Sequence, residues 1–441
     1  MSEAQPGFDP TAVIESDPAL DALTAATQEQ QTEQEIETRS QLKDHFASQV
    51  ISDLSFITQQ TIPAFSESLT IFIDPKHLKE AASATKNTIQ KITPPPCKVS
   101  IWLGVIKLST FNNVAFSEWL IPTQQPTQGV QQDKPQHISI DHNILSRLSD
   151  KLTEPIEATI IPAKQMIRIQ SGRSSLEIPL LPPQELVNYS KKIESSGDPV
   201  KIDVSALKSA TEYISLVSKK EESQQAFSVV ETRGDSIVGG TSSVFGILKH
   251  PSLASIKLGL KNENLPILDK ALSFLHNVNS YLIDTPAYLI LRDENFYLGI
   301  EKTTLSFPNI APVLAQKAMP DSISIPREDL KNSLLKLAIV SQNRDQPVSF
   351  TINGLGTEAV LTCLTQDQSG KTSSDALKIF RSNPSNQDTP ITLKTLSAPM
   401  LKILNYIDST NVSMSIIPEK LIIIKHENQN LKTETIITIL K

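Results

Sequence analysis

Apolar and polar positions alternate with period two along residues 323–325, and then Leu330, Leu334 and Ala338 recur every four residues. The first spacing predicts a strand with one buried face, the second a helix packed along one stripe. This phrase, strand period followed at once by helix period, begins at Ile71, Ile138, Val200, Ile256, Ile323 and Ile391. The intervals are 67, 62, 56, 67 and 68 residues. Between the phrases lie strand-like runs at 99–111, 157–172, 287–301, 348–354 and 412–426. Each unit therefore reads as strand, helix, then two or three antiparallel strands. Repetition at this length has to be weighed before any motif.

The units group in pairs. The starts at 71, 200 and 323 share an Asp or Pro just after the strand, and their spacing gives three similar domains of ordinary size. The expected boundaries are 68–187, 200–318 and 322–441, in an α+β fold of six strand–helix–strand repeats. Residues 188–199 and 317–321 carry Ser, Gly, Pro and charge without periodicity, and read as linkers. Residues 1–40 hold nine acids against the single base Arg39 and too few apolar groups to offset ordering entropy. Residues 1–67 are thus expected to form a disordered acidic tail, with an apolar-spaced run at 42–57 that could make a docked helix.

Composition narrows the functional classes. The net charge of −7 argues at first sight against nucleic acid. No run of about 18 apolar residues exists to cross a membrane, and no basic-then-apolar leader opens the chain. The two cysteines, Cys97 and Cys363, lie far apart and suit buried thiols in a reducing compartment. A cytoplasmic protein is expected.

Motifs for chemistry are absent or incomplete. SGKTSS at 369–374 ends like a phosphate-binding loop, but Thr365 stands where its first Gly is required, so a polar hairpin tip is expected. VGGTSSVFG at 238–246 lies between strand-like runs rather than before a helix, and reads as a turn. The seven histidines (45, 77, 137, 142, 250, 276 and 426) form no metal-ligand spacing. Acid pairs such as Glu221–Glu222 and Asp293–Glu294 read as solvated loop charge. No catalytic residue, metal or cofactor is expected.

Four segments, in order, carry a resemblance to a known family: IRIQSGRSSLEIPLLPP at 167–183, LSFPNIAPVL at 305–314, LKNSLLKLAIVSQN at 330–343 and the terminal ETIITILK. Over roughly 68–441 the chain resembles the bacterial DNA polymerase III beta sliding clamp. That family implies three like domains per chain and two chains head to tail, making a ring of twelve inner helices around duplex DNA. It also implies tethering of a polymerase and a clamp loader through short peptide motifs carrying Gln, Leu and a terminal aromatic or Leu. It implies no enzymatic activity. Departures are large: TSSVF at 241–245 replaces the second domain's Thr-Asp-Gly-His-Arg, and 437–441 replace the Met-Pro-Met-Arg-Leu ending. They suggest a divergent member of the kind a phage encodes.

The resemblance assigns residues as follows. Ring closure falls to Leu176 and Ile178 on the first domain's edge strand, to Ile339 and Val340 on the third domain's first helix, and to Arg173. The partner pocket falls to Thr241, Pro308, Val313, Ile437 and Ile439. The DNA-facing cations are Lys79, Lys86, Lys91, Arg147, Lys208, Lys219, Lys220, Lys270, Lys331 and Lys402. Charge patterning agrees with this last set. The six windows from each strand start through its helix hold 19 Lys/Arg against 11 Asp/Glu, leaving the rest of the chain at −15. A sleeve for DNA needs positive charge where phosphates pass and negative charge elsewhere, although helices favour Lys in any case. The other reading carried forward is a clamp-fold or β-rich structural or interaction protein that does not encircle DNA.

Overall fold

The computed structural model describes residues 68–441 apart from 90, 103, 124–135, 183–198, 219–223, 276–279, 311, 313–321, 342–346, 355, 367–369, 371, 383–390, 418–420, 428–431 and 439–441. The expected tail, the run at 42–57 and almost all of both linkers lie outside these residues.

Each of the six phrases becomes one strand, one helix and three further strands. The first unit comprises β1 (Leu69–Ile73), α1 (Pro75–Thr85), β2 (Pro96–Trp102), β3 (Val105–Phe111) and β4 (Ala115–Pro122). The second comprises β5 (Gln136–Asp141), α2 (His142–Ser149), β6 (Ile156–Ile161), β7 (Met166–Ser171) and β8 (Ser174–Pro179). The third has β9 (Pro199–Lys201), α3 (Val204–Val217), β10 (Val229–Arg233), β11 (Ser236–Gly240) and β12 (Val244–Lys249). The fourth has β13 (Gly259–Lys261), α4 (Leu265–Leu272), β14 (Tyr281–Asp284), β15 (Tyr288–Arg292) and β16 (Phe296–Glu301). The fifth has β17 (Ser322–Pro326), α5 (Arg327–Ser341), β18 (Pro347–Asn353), β19 (Glu358–Gln366) and β20 (Thr372–Arg381). The sixth has β21 (Ile391–Leu396), α6 (Ser397–Tyr406), β22 (Asn411–Ile417), β23 (Leu421–Glu427) and β24 (Lys432–Thr438).

Local chemistry explains the strand-to-helix switch. Asp74, Asp141 and Asp203 each follow a first strand in extended backbone and cap the next helix, accepting from the N–H of Lys76, Asn143 and Ala206 at 2.8, 2.8 and 3.0 Å. An N-cap carboxylate satisfies donors that the helix cannot, which makes the Asp a start signal. The Ala206 N–H bond, with help from the Ser205 hydroxyl, holds the Asp203 carboxyl below the usual range. Strand β1 then alternates buried and half-buried side chains, and Leu330, Leu334 and Leu337 of α5 are buried along one stripe.

Pairing crosses between units. β1 pairs with β6 of the second unit, and β5 pairs back with β2 of the first. The same exchange joins β9 to β14 and β13 to β10, and then β17 to β22 and β21 to β18. Each pair of units thus shares two four-stranded sheets, and neither unit is a separate fold.

A second rule links the pairs. The last strand of the first unit, β4, pairs antiparallel with the last strand of the fourth, β16. Likewise β12, ending the third unit, pairs with β24, ending the sixth. Close backbone approach marks both joints: a Cβ on Gly299 would stand 2.1 Å from the Phe116 ring, and one on Gly246 would stand 2.9 Å from the Tyr213 ring. Only glycine leaves room for those rings. On the helical side α1 touches α2, α4 touches the 3-10 turn at Lys86–Thr88 and also α3, and α6 touches both α3 and α5. The six helices therefore form one row against the sheets.

Candidate nucleic-acid face, free edges and partner cleft

Most of the expected cations that are described lie on or just after the helices and are exposed. Lys79, Lys86, Lys91, Arg147, Lys270 and Lys402 are exposed, while Lys208 and Lys331 are half-buried. Lys219 and Lys220 lie outside the described residues. Several are matched by nearby acids: Lys79 by Asp150 at 3.5 Å, Lys208 by Glu212 at 4.0 Å and Lys331 by Glu328 at 3.9 Å. Exposed pairs of this kind contribute roughly 0–1 kcal/mol, so the lysines remain available to phosphate. Lys270 lies 5.3 Å over the Phe274 ring. Lys76 on α1 and Lys151 after α2 are equally exposed and were not singled out by spacing.

Two last strands remain unmatched among the described residues. β8 is the outer strand of its four-stranded sheet. β20 meets β17 only at Arg381 and Phe380, so its stretch 372–379 is paired on one side alone. Apolar side chains stand beside both edges. Leu176 on β8 is 43% exposed, and Ile339 on α5, the helix packed against β20, is 77% exposed. Leu176 points to the core side, opposite buried Ile169, yet no described residue covers it fully. Ile178, expected to share the exposed edge, is 3% exposed and belongs to the first domain's own core. It lies deeper along β8, where the alternation still meets the apolar side chains of β7. Arg173 is exposed at the β7–β8 turn, and Val340 lies in α5.

Of the five residues expected to line the partner pocket, Thr241, Pro308 and Ile437 lie among the described residues. Thr241 is buried, and its hydroxyl accepts from the N–H of Val244 and Ser243 at 3.0 and 3.3 Å. Its polar group is consumed in its own turn. Pro308 is half-buried on the loop after β16. Ile437 sits in β24 opposite Val244. Val313 and Ile439 lie outside the described residues. What spacing did not reveal is how that loop is fastened: Phe307 and Ile310 pack with Val238, Phe245 and Ile247 of the third unit and with Ile423 of the sixth.

Burial pushes the thiols of Cys97 and Cys363 up to about 12, which keeps both protonated. No group of His, Cys, Asp or Glu able to hold a metal occurs among the described residues, and none of their helices is long and apolar enough to cross a membrane.

No family model matches the chain, and no curated protein matches it by sequence. Solved structures do match. The chain is similar to the DNA polymerase III beta subunit of Thermotoga maritima, with a TM-score of 0.72 at 11% identity, covering 85% of this chain and 99% of that one. The chain has the sliding-clamp fold. The clamp of Pseudomonas aeruginosa aligns at TM-score 0.70 and 11% identity over 84% of this chain and 100% of its own. The Bartonella birtlesii clamp, solved bound to griselimycin, aligns at 0.68 and 13% over 85% and 100%. Clamp architecture accounts for the six helices in one row and for the sheets that run through both joints.

Proposed function

We propose that this chain is a divergent processivity clamp: copies close head to tail into a ring, duplex DNA passes along the helical row, and a polymerase is tethered through a short peptide. The observation that carries the reading is the pairing rule of the last strands. Unit one joins unit four and unit three joins unit six, so unit five should join the second unit of the next chain. That step would pair β20 with β8, the two last strands left with an open side. Pairing them would hide exposed backbone that otherwise invites aggregation and would cover Leu176 and Ile339.

The role is mechanical, not enzymatic. Lysines and Arg147, spaced along six helices, attract phosphates without reading bases, so the ring is free to slide. A ring of two chains holds twelve helices. Such a protein works in solution beside DNA, in keeping with a cytoplasmic site. The acidic total does not oppose this. Residues 1–67 hold twelve acids against two bases, a net of −10, so the remainder of the chain is +3.

Light scattering on the purified full chain, with loading onto nicked circular DNA, tests the proposal. A mass near 97 kDa, about twice the 48.5 kDa chain, together with retention on circles and release on linearisation, is expected. A 48.5 kDa species that never stays on circles would favour an interaction protein that only shares the fold.

A further inference from the structure

The core of the first domain is built almost wholly from branched aliphatic side chains. Ile71 of β1, Leu78 of α1, Ile106 of β3, Leu145 of α2, Ala158 of β6 and Ile178 of β8 surround a cavity of about 40 Å³ between its two sheets and two helices. Ten of the fifteen lining residues are isoleucine, none is aromatic, and no polar atom faces the space. Each lining residue is 7% exposed or less, so the cavity lies inside the domain.

The residues themselves explain why this space persists. Ala158 is the smallest of them, and in its sheet it stands between Ile71 and Ile169, which also line the cavity. A methyl group there leaves a gap that its neighbours are poorly placed to fill, because β-branched side chains are held to few χ1 positions. The other domains put rings in their cores: Tyr213 in the second and Phe350 in the third are fully buried. A gap of this kind costs dispersion contacts along its walls. Water cannot restore them, since a buried water needs about two to four polar partners and finds none here. The volume is about three times what one water requires, enough for a guest of a few heavy atoms.

We propose that the first-domain core is a binding site for one small apolar molecule, of the size of xenon or a short hydrocarbon. Such a guest leaves water for contact with stiff aliphatic walls, and by binding only the folded chain it stabilises that domain. The inference stands on the core of one domain and does not depend on ring closure or DNA.

Methyl spectra of the full chain, labelled at isoleucine and recorded under rising xenon pressure, test the site. Ile71, Ile106 and Ile178 should shift along one saturating curve, while Ile214 and Ile403, buried in the second and third domains, should not. Ala158→Ile fills the gap with a side chain and should abolish the saturable shift. Ala158→Val serves as the second variant if the larger one melts early. The unfolding midpoint should rise with xenon in the unaltered chain and stay level in a filled one. Shifts that grow linearly with pressure, alike in all three domains, would mark general solvation and overturn the proposal. So would saturable binding that survives in a folded, filled variant, or nuclear Overhauser contacts from these methyls to a long-lived water.

Discussion

Tyr213 and Thr435 share a hydroxyl–hydroxyl hydrogen bond of 2.7 Å across 222 residues, and both side chains are buried. One belongs to α3, the other to β24, so the bond spans the joint that β12 and β24 make. Tyr406 of α6 stacks its ring 5.4 Å from Tyr213 and donates to the Ser209 carbonyl at 3.3 Å.

Tyr213→Phe should destabilise the chain by about 1–2 kcal/mol, because it leaves a buried hydroxyl without this partner. Pairing it with Thr435→Val should recover much of the loss. Urea unfolding of the four chains of the cycle measures the coupling, and strict additivity would show that the bond contributes nothing.

Leu176→Lys should convert closed rings to single chains without lowering the melting temperature appreciably. The side chain is already 43% exposed, so the charge costs the isolated chain little, whereas a closed interface would have to bury it. Sedimentation velocity at micromolar concentration reads the outcome. An intact dimer would remove β8 from the interface.

Charge reversal of Lys79, Lys86, Arg147, Lys270 and Lys402 together should abolish loading onto circular DNA, while Lys402→Glu alone should change it little. Each phosphate left without its cation should lower the salt slope by about 0.9, so the grouped variant also tests how many phosphates the wall engages. Replacing the nine acids of residues 1–40 by amides should act in the opposite sense. It removes repulsion of phosphate, so binding should tighten at low salt, with the difference fading as ions screen it.

Acid should weaken the fold through His142. Its ring is buried at the start of α2, with Nε2 3.0 Å from the Thr85 hydroxyl, and burial, aided by nearby Lys86, lowers its pKa to about 4. The native ring stays neutral where an unfolded one, titrating near 6.5, takes a proton. Stability is therefore complete above about pH 6.5 and falls as pH drops toward 4, by up to about 3 kcal/mol. His142→Asn should flatten that part of the stability–pH curve. An unchanged slope between pH 6.5 and 4 would assign the acid sensitivity to other groups.

Local rules made much of this chain legible from its letters. An Asp after each of three alternating runs is a helix cap before it is anything else, so Asp74, Asp141 and Asp203 announce strand–helix junctions that the structure confirms in hydrogen bonds. The apolar stripe through Leu330 and Leu334 foretold the buried side of α5. These signals are short-range: a cap and a period both act within a few residues.

Long-range contacts were silent in the sequence because nothing in a strand's alternation names its partner. Units that read as self-contained in fact exchange their first strands, and the rule joining β4 to β16 and β12 to β24 exists only once the sheets are assembled. Arg233 and Glu231 look like ordinary solvated charges until a loop 75 residues away places its carbonyls beside them. Leu176 and Ile178 are alike in sequence, two apolar residues on one face of one strand. Packing alone separates them, because the core of the first domain closes over Ile178 and ends before it reaches Leu176.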